Sequence, residues 1–318
     1  MIEKAKELLA SGAVDRVLSW EKGENDFDRT PAVFDANSVD SLVYDGLCGA
    51  NLSKYLIQES MKDGKALVFL KPCDSWSFNQ LATEHRIDVE KIVPIGVGCR
   101  GKIDVVKLRE KGVKGILEVT DGEDVKVRTL YGDATIARKE VLLDKCLACK
   151  GKEHVVECEV IGESEDTTDG DKFELVAKLE AMTPDERFEF WRGELSKCIR
   201  CNACRNVCPA CSCVKCVFDN PNTGVQNKAA ADDFEENLFH IIRAFHVAGR
   251  CTDCGECSRV CPQRIPLHLL NRKFIKDIDE LYGEYRAGAE IGQRHPLENY
   301  TTGDCEPSIV HERGGVNP

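Results

Sequence analysis

The sequence predicts an α/β domain with a mainly parallel sheet, followed by a smaller domain of short helices and loops. Two observations lead to this fold class. Short apolar segments alternate with helical segments over roughly residues 1–160, as in a parallel sheet with helical crossovers. Further along the chain, the run Cys-x-x-Cys-x-x-Cys-x-x-x-Cys-Pro occurs twice, at Cys198–Pro209 and Cys251–Pro262. This is the ligand spacing of bacterial ferredoxins that hold two 4Fe-4S clusters.

The predicted elements of the α/β domain follow from the period of their apolar residues. Continuous short apolar runs indicate buried strands, and a period near 3.6 residues indicates helices. In chain order they are an amphipathic helix over Met1–Trp20, a strand over Ala66–Leu70, a helix over Ser75–Glu84, a strand over Ile92–Val97, a short helix over Ile103–Lys111, and strands over Gly115–Thr120 and Val125–Leu130.

The segment Gly162–Asp171 is acidic and short of apolar residues, and it predicts a linker. After it, Thr183, Pro184 and Glu186 predict a capped helix that leads to Cys198. Two more helices are predicted, over Asp232–Val247 and Leu267–Lys276. The predicted domains are an α/β domain (1–160), a linker with a lead-in helix (161–197), a dicluster ferredoxin domain (198–270), and a C-terminal helix and tail (271–318).

Composition excludes several classes of function. The net charge of −12 argues against a nucleic-acid partner, because nucleic-acid binding depends on a basic surface. No apolar run approaches 18 residues, so no membrane span is expected. The chain has 18 cysteines and no visible signal peptide, which predicts the reducing cytoplasm. The sequence shows no Ser-His-Asp pattern, zinc-protease motif or P-loop, so no autonomous catalytic site is expected.

Each cysteine run supplies four thiolates, and the spacing predicts how two clusters share them. Three closely spaced thiolates wrap one cubane, and the fourth Cys of each run ligates the other cluster in two-cluster ferredoxins. The predicted sets are Cys198, Cys201, Cys204 and Cys261 for the first cluster, and Cys208, Cys251, Cys254 and Cys257 for the second. Zinc sites usually contain pairs of such cysteines rather than triplets, and secreted disulfide scaffolds are shorter and denser in cysteine.

A third group of cysteines lies in the α/β domain. Cys73 and Cys99 follow the two predicted buried strands, so both are expected at the carboxyl ends of neighbouring strands, where α/β sheets place their sites. The pair Cys146-x-x-Cys149 follows in a later loop, and Cys158 competes with it for a place in the group. From spacing alone, the group is compatible with a third cluster, a zinc site or a redox-exchange pair.

Three segments of this domain resemble the beta-subunit family of coenzyme F-420-reducing hydrogenase and formate dehydrogenase, over roughly residues 40–160. They are KPCDSWSFNQL, IGVGCRG and KCLACK. Residues 198–266 are similar to the dicluster ferredoxin module that is often attached to such proteins in anaerobic hydrogenase, formate dehydrogenase and heterodisulfide-reductase-type complexes. The segments that carry this second resemblance are CIRCNACRNVCPACSCVKC and AGRCTDCGECSRVCPQRIP.

The resemblance implies a third 4Fe-4S cluster in the α/β domain, with Cys73, Cys99, Cys146 and Cys149 as its ligands. Enzymatic members of the family also bind FAD and carry a glycine-rich segment before the first cysteine motif. The corresponding stretch here, Gly46–Leu56, keeps only two of those glycines, at its first and fourth positions.

These observations predict an iron–sulfur electron-transfer subunit that passes single electrons along two or three 4Fe-4S clusters. The electrons would move between a partner's flavin or metal centre and another subunit. The predicted partners are the other subunits of a hydrogenase, a formate dehydrogenase or a flavin-based bifurcating complex. The alternative is an FAD-dependent subunit that reduces a deazaflavin or a similar hydride carrier.

A glycine motif in the same domain offers a competing interpretation. Gly96-x-Gly98-x-x-Gly101 matches a dinucleotide-binding fingerprint, and it lies between a predicted strand and a predicted helix. However, Cys99 lies inside this loop. The preferred interpretation is therefore a flexible backbone that wraps a cluster rather than a nucleotide pyrophosphate.

The remaining cysteines and two histidines carry weaker signals. Three thiols within six residues predict either part of a further metal site or small residues that pack beside a cluster; they are Cys211, Cys213 and Cys216. The single cysteines, for which packing roles are expected, are Cys48, Cys158 and Cys305. His240 and His246 lie on the predicted helix between the two runs, and packing is the expected role of both.

Overall fold

A computed structural model describes residues 1–149, 153–219 and 233–298. The strands, in chain order, are β1 (Arg16–Lys22), β2 (Arg29–Phe34), β3 (Leu42–Val43), β4 (Ala66–Leu70), β5 (Ile92–Val97), β6 (Ile116–Asp121), β7 (Asp124–Thr129), β8 (Ala134–Ala137) and β9 (Glu159–Ile161). The α-helices are α1 (Ile2–Ala10), α2 (Leu56–Glu59), α3 (Pro72–Thr83), α4 (Val105–Glu110), α5 (Asp144–Leu147), α6 (Glu174–Glu180), α7 (Pro184–Leu195), α8 (Ala203–Val207), α9 (Asp233–His246), α10 (Glu256–Arg259) and α11 (His268–Tyr282). None of the helices in these ranges has the length and apolar character needed to cross a membrane.

The main sheet has six strands and is mostly parallel. β1, β4, β5 and β9 run parallel to one another, while β2 and β3 pair antiparallel with β1. Every residue of β4 is buried, as expected for a central parallel strand that is covered on both faces. The predicted α/β class with a mainly parallel sheet is confirmed, and β4 and β5 have the predicted bounds.

The N-terminal prediction of one helix over Met1–Trp20 is wrong. The helix ends at Ala10, and Gly12 follows with a φ of 70°, a left-handed conformation that terminates helices. Residues of β1 then cross the middle of the sheet, where Val17 and Trp20 are fully buried. The apolar residues of this segment fit a helical period by chance, and their burial on both faces of a central strand decided their conformation.

A second, smaller sheet contains β6, β7 and β8 in antiparallel order. The two predicted strands in this region are present within one residue of their expected bounds, and a short turn through Gly122 joins them. A tight turn of this kind makes an antiparallel hairpin, because a parallel pair needs a long crossover. This sheet lies beside the main one and encloses its own apolar cluster, which includes Leu108, Val125 and Val141.

The C-terminal module repeats one backbone conformation at its two cysteine runs. In each run, the second and fourth residues after the first Cys are left-handed; they are Arg200, Asn202, Asp253 and Gly255. A short helix follows in each case, α8 and α10. The helix that leads into the first run, α7, has the predicted capping box at Thr183. The bounds of α9 agree with the prediction within one residue, whereas α11 continues past the predicted end at Lys276 to Tyr282. These helices surround a core that contains Leu195, Phe239 and Ile265.

The module packs directly against the α/β domain through buried polar contacts. The carboxylate of Glu256, 0 % exposed, pairs with Lys145 and accepts a hydrogen bond from the Asn51 N–H at 3.1 Å. The hydroxyls of Ser77 and Thr252 lie 2.9 Å apart. Because these contacts satisfy otherwise buried polar groups, they specify how the two parts dock.

Candidate metal centres

Four cysteines of the α/β domain line one cavity, which we call the α/β site: Cys73, Cys99, Cys146 and Cys149. Cys73 lies at the start of α3, directly after β4, and Cys99 lies in the loop after β5. Since β4 and β5 are neighbouring parallel strands, both loops emerge at the same edge of the sheet. Cys146 is in α5. The competing Cys158 lies outside the cavity, where its sulfur accepts a hydrogen bond from the Gly96 N–H.

The α/β site combines buried thiols with buried ammonium groups. Burial raises the pKa of the Cys146 thiol to about 11 and that of Cys73 well above its usual value. Lys102 and Lys145 line the same cavity, and the backbone N–H of Lys102 donates to Cys146 Sγ at 3.2 Å. Buried thiolates need bound metal to remain charged, and the ammonium groups offset the negative charge of a four-thiolate cluster. The donor set therefore fits a 4Fe-4S cluster.

The acidic segment Gly162–Asp171, predicted to be a linker, instead covers the α/β site. The N–H of Glu165 donates to the Cys99 carbonyl at 3.0 Å, and the Thr167 hydroxyl donates to the Cys146 carbonyl at 2.7 Å. The Cys99 N–H in turn donates to the Ser164 hydroxyl at 3.1 Å. Low apolar content did predict a segment without helix or strand, but its polar side chains hold it to the cysteine loops.

The glycines of the apparent dinucleotide fingerprint face protein rather than open space. A Cβ at Gly98 would lie 2.3 Å from the Glu163 carbonyl oxygen, and a Cβ at Gly96 would lie 2.9 Å from His154. At Gly101 the nearest atoms belong to Leu142. The region beside these glycines, where a pyrophosphate would bind, contains the chain's own covering segment.

The two cysteine runs of the C-terminal module interleave. Burial is the main cause that raises the pKa of the Cys254 thiol to about 11 and that of Cys257 to about 12, and the nearby charge of Cys208 adds to both. Burial also raises the pKa of Cys204, and Cys261 adds to that shift. The packing agrees: Cys208 belongs to one apolar cluster with Cys251, and Cys261 belongs to another with Cys204, so each fourth cysteine lies near the other run. We call the sets ferredoxin site 1 (Cys198, Cys201, Cys204, Cys261) and ferredoxin site 2 (Cys208, Cys251, Cys254, Cys257).

A buried arginine lies between the two ferredoxin sites. Arg243 of α9 is 4 % exposed and donates to the Cys204 carbonyl at 3.1 Å. Its Nε has no hydrogen-bond partner among the described residues. The charges of thiols from both sites, including Cys208 and Cys257, outweigh the effect of burial and raise its pKa. A permanently charged guanidinium in this position fits two anionic clusters on either side of it.

The structure gives His240 a contact that the sequence analysis missed. Its ring is 2 % exposed, and its Nε2 lies 3.2 Å from Cys198 Sγ. Glu236, one helical turn earlier on α9, lies in the same group, and the ligand atoms of the three residues are within 4.8 Å of one another. The only available signal was that both residues lie on the same face of a helix predicted between the cysteine runs.

The three additional thiols of the module surround a cavity of about 400 Å³ instead of converging on one point; they are Cys211, Cys213 and Cys216. Cys211 Sγ hydrogen-bonds to Cys208, and Arg205 hydrogen-bonds to Cys216. The Cys211 carbonyl accepts from Lys54 at 2.5 Å, which ties this loop to the α/β domain. Among the other single cysteines, Cys48 is buried in the main core, and Cys305 lies outside the described residues.

Comparison with known proteins first defines the class of the C-terminal module. Residues 194–265 match the family described as a 4Fe-4S dicluster domain. The chain is therefore an iron–sulfur protein, in agreement with the two cysteine runs and the buried thiols around them.

Two relatives resemble the chain over most of its length. The F420-dependent formate dehydrogenase subunit beta of Methanocaldococcus jannaschii is 27 % identical over 87 % of this chain and 88 % of the relative. The F420-dependent formate dehydrogenase 1 subunit beta of Methanococcus maripaludis is 28 % identical over 90 % and 89 %. The predicted resemblance to this family of beta subunits is confirmed. A chain from a structure described as xenon derivatization of the F420-reducing [NiFe] hydrogenase complex from Methanosarcina barkeri covers 62 % of this chain and 85 % of its own length, with 13 % identity and a TM-score of 0.39.

Proposed function

We propose that the chain is the electron-transferring iron–sulfur subunit of a redox complex of the formate dehydrogenase or hydrogenase type. In this proposal, ferredoxin sites 1 and 2 and the α/β site each hold one 4Fe-4S cluster, and the ligands are the twelve cysteines named for them above. Such clusters supply one-electron transfer, and the protein supplies ligands, spacing and potential.

One observation supports this function above all others: the α/β site shares a wall with ferredoxin site 2. The cavity lined by the four α/β cysteines is also lined by Asp253 and Cys254 of the second cysteine run. Cys254 is one of the proposed ligands of ferredoxin site 2. Ferredoxin site 2 is itself interleaved with site 1 through Cys208 and Cys261. In this proposal, the three sites therefore form a continuous series along which single electrons pass.

The chain's own residues prepare this series in two ways. Packing buries at least one proposed ligand in each site, whereas Cys201 of ferredoxin site 1 is exposed; the buried ligands are Cys146, Cys204, Cys208 and Cys257. Fixed cations balance the thiolates, with Lys102 and Lys145 at the α/β site and Arg243 between the ferredoxin sites. Charge and solvent exposure are among the properties that set cluster potentials, so these residues control how easily each site accepts an electron.

The domain bounds and the cellular context are part of the proposal. We assign 1–161 to the α/β domain, because β9 ends at Ile161, with 162–171 as the segment that covers its site, 172–197 to the lead-in helices, and 198–270 to the ferredoxin domain. The named relatives are beta subunits, which supports further subunits as partners. The many buried thiols support a reducing compartment, the cytoplasm.

The FAD-dependent alternative depends on the stretch Gly46–Leu56. In the structure this stretch is used for packing: a Cβ at Gly49 would lie 3.2 Å from Leu143 and 3.4 Å from Arg259, and Asn51 bonds to Glu256. The stretch thus holds the ferredoxin module in place. The names of the two relatives refer to F420, so we keep the alternative as an outcome of the experiment that follows.

Iron, sulfide and flavin per chain, measured on anaerobically purified protein, test the proposal. We expect about twelve irons, four for each cluster, and no flavin. Cys99→Ser should lower the count by about four irons, because it removes one ligand of the α/β site. The matched control Cys158→Ser should change nothing, since Cys158 lies outside that cavity. About eight irons in the unmodified protein would contradict the third cluster, and one flavin per chain would favour the alternative.

A further inference from the structure

A group of polar side chains surrounds Cys198 of ferredoxin site 1. Cys198 Sγ faces two nitrogen atoms, His240 Nε2 at 3.2 Å and the backbone N–H of Arg200 at 3.4 Å. At ferredoxin site 2 the side-chain contacts to ligand sulfur are different: Asn271 Nδ2 lies 3.8 Å from Cys257 Sγ, and the Cys211 thiol hydrogen-bonds to Cys208. Hydrogen bonds to ligand sulfur are among the factors that set the potential of an iron–sulfur cluster.

The position of the proton on His240 follows from its surroundings. The His240 ring is buried, and Nε2 is the ring nitrogen that faces Cys198. Its Nδ1 has no hydrogen-bond partner in the described part of the chain. A ligating cysteine is a thiolate, which accepts but does not donate. The proton therefore resides on Nε2, where it can be donated to Cys198 Sγ.

A second side chain of α9, the Glu236 carboxylate, also contacts Cys198. Glu236 is 2 % exposed, and its Oε2 lies 3.3 Å from the Arg200 guanidinium, which offsets its negative charge. The guanidinium is held in turn over the Phe239 ring, 3.9 Å from the ring centre. One helix, α9, thus presents both the carboxylate and the imidazole to the loop that carries Cys198.

We propose that His240 is a positioning residue of ferredoxin site 1, whose Nε2–H hydrogen bond to Cys198 raises the reduction potential of the cluster held there. The inference rests on the proposed function, since it requires a cluster at this site. The physical reason is that reduction adds negative charge to the ligand sulfurs, and an N–H donor stabilises that charge. The electron is consequently held more strongly at site 1 than it would be without the histidine.

An electron paramagnetic resonance redox titration of the anaerobic full-length chain tests the inference. His240→Leu should lower the reduction potential of one cluster and leave the other potentials unchanged. The equilibrium constant for reducing that cluster should fall about tenfold, which corresponds to 59 mV for one electron. His240→Gln keeps an N–H donor and should restore part of the shift. His246→Leu, an exposed position on the same helix, is the matched control and should shift nothing. Unchanged potentials in His240→Leu at full iron content would overturn the inference.

A measurement on the unmodified protein covers the case in which His240→Leu loses its cluster. With ¹⁵N-labelled histidine, pulsed electron paramagnetic resonance of the reduced protein should detect a histidine nitrogen coupled to one cluster, because the hydrogen bond connects them. The signal should disappear in His240→Gln. No such coupling in the unmodified protein would overturn the inference even if the clusters are complete. Absence of the site 1 cluster itself would instead refute the proposed function.

Discussion

Replacing Lys145 with methionine tests whether one buried ion pair holds the two domains together. The Lys145 side chain is 7 % exposed, and it pairs with Glu256 of the ferredoxin module, whose side chain is 0 % exposed. Its ammonium also donates to the Gly49 carbonyl at 2.8 Å. Lys145→Met keeps most of the apolar stem and removes both the charge and the donor. Glu256 then retains Arg259, which donates to it at 2.8 Å.

The expected cost follows from these contacts. Removing one partner of a buried ion pair destabilises a protein by about 3–5 kcal/mol, because the other charge remains buried. Arg259 still compensates Glu256, so we expect a value near the lower end, about 3 kcal/mol. At about 2–4 °C per kcal/mol, the apparent melting temperature should fall by about 6–12 °C. Cluster loss makes unfolding irreversible, so the variants must be compared anaerobically at one scan rate.

The matched control is Lys178→Met, which removes an ammonium from an exposed pair. Lys178 and Glu174 are 63 % and 58 % exposed, and such pairs contribute about 0.5 kcal/mol or less. A double variant, Lys145→Met with Glu256→Gln, should lose less stability than the two single variants lose together, because it also removes the carboxylate charge that Lys145→Met leaves without its partner. If the melting temperature of Lys145→Met falls no further than that of the Lys178→Met control, the ion pair does not hold the interface and the reasoning fails.

Two further predictions concern the covering segment and the pH dependence of stability. Gly98→Ala should displace the covering segment from the α/β site, because the new Cβ would lie 2.3 Å from the Glu163 backbone. The protein should then lose about four irons per chain. The control Gly193→Ala, whose Cβ would have nothing within 4 Å, should keep its full iron content. Burial lowers the pKa of His268 to about 4, below its ordinary 6.5. The unfolded chain therefore binds this proton first, so stability should be constant above pH 6.5 and fall between pH 6.5 and 4. His268→Gln should reduce that slope in denaturation measured across this range, and an equal slope in both proteins would contradict the assignment.

The local elements of this protein were predictable wherever the signal was itself local. Short apolar runs predicted the β4 and β5 strands, and the capping box at Thr183 predicted the start of α7. The same logic failed at Met1–Trp20, where the apolar residues satisfy a helical period and a buried strand equally well. Only the position of β1 in the middle of the sheet, with both faces covered, distinguishes the two.

By itself, the sequence determined the class of the C-terminal module, because the spacing of cysteines around an iron–sulfur cluster is a property of a short stretch of backbone. It also indicated which α/β cysteines follow neighbouring strands. Tertiary structure alone decided three other features: the acidic segment covers the α/β site, Cys254 reaches the wall of that site, and His240 meets Cys198. Each of these is a contact between residues distant in the chain. Such contacts form because the folded chain packs its side chains and pairs its buried polar groups, and no short sequence pattern predicts them.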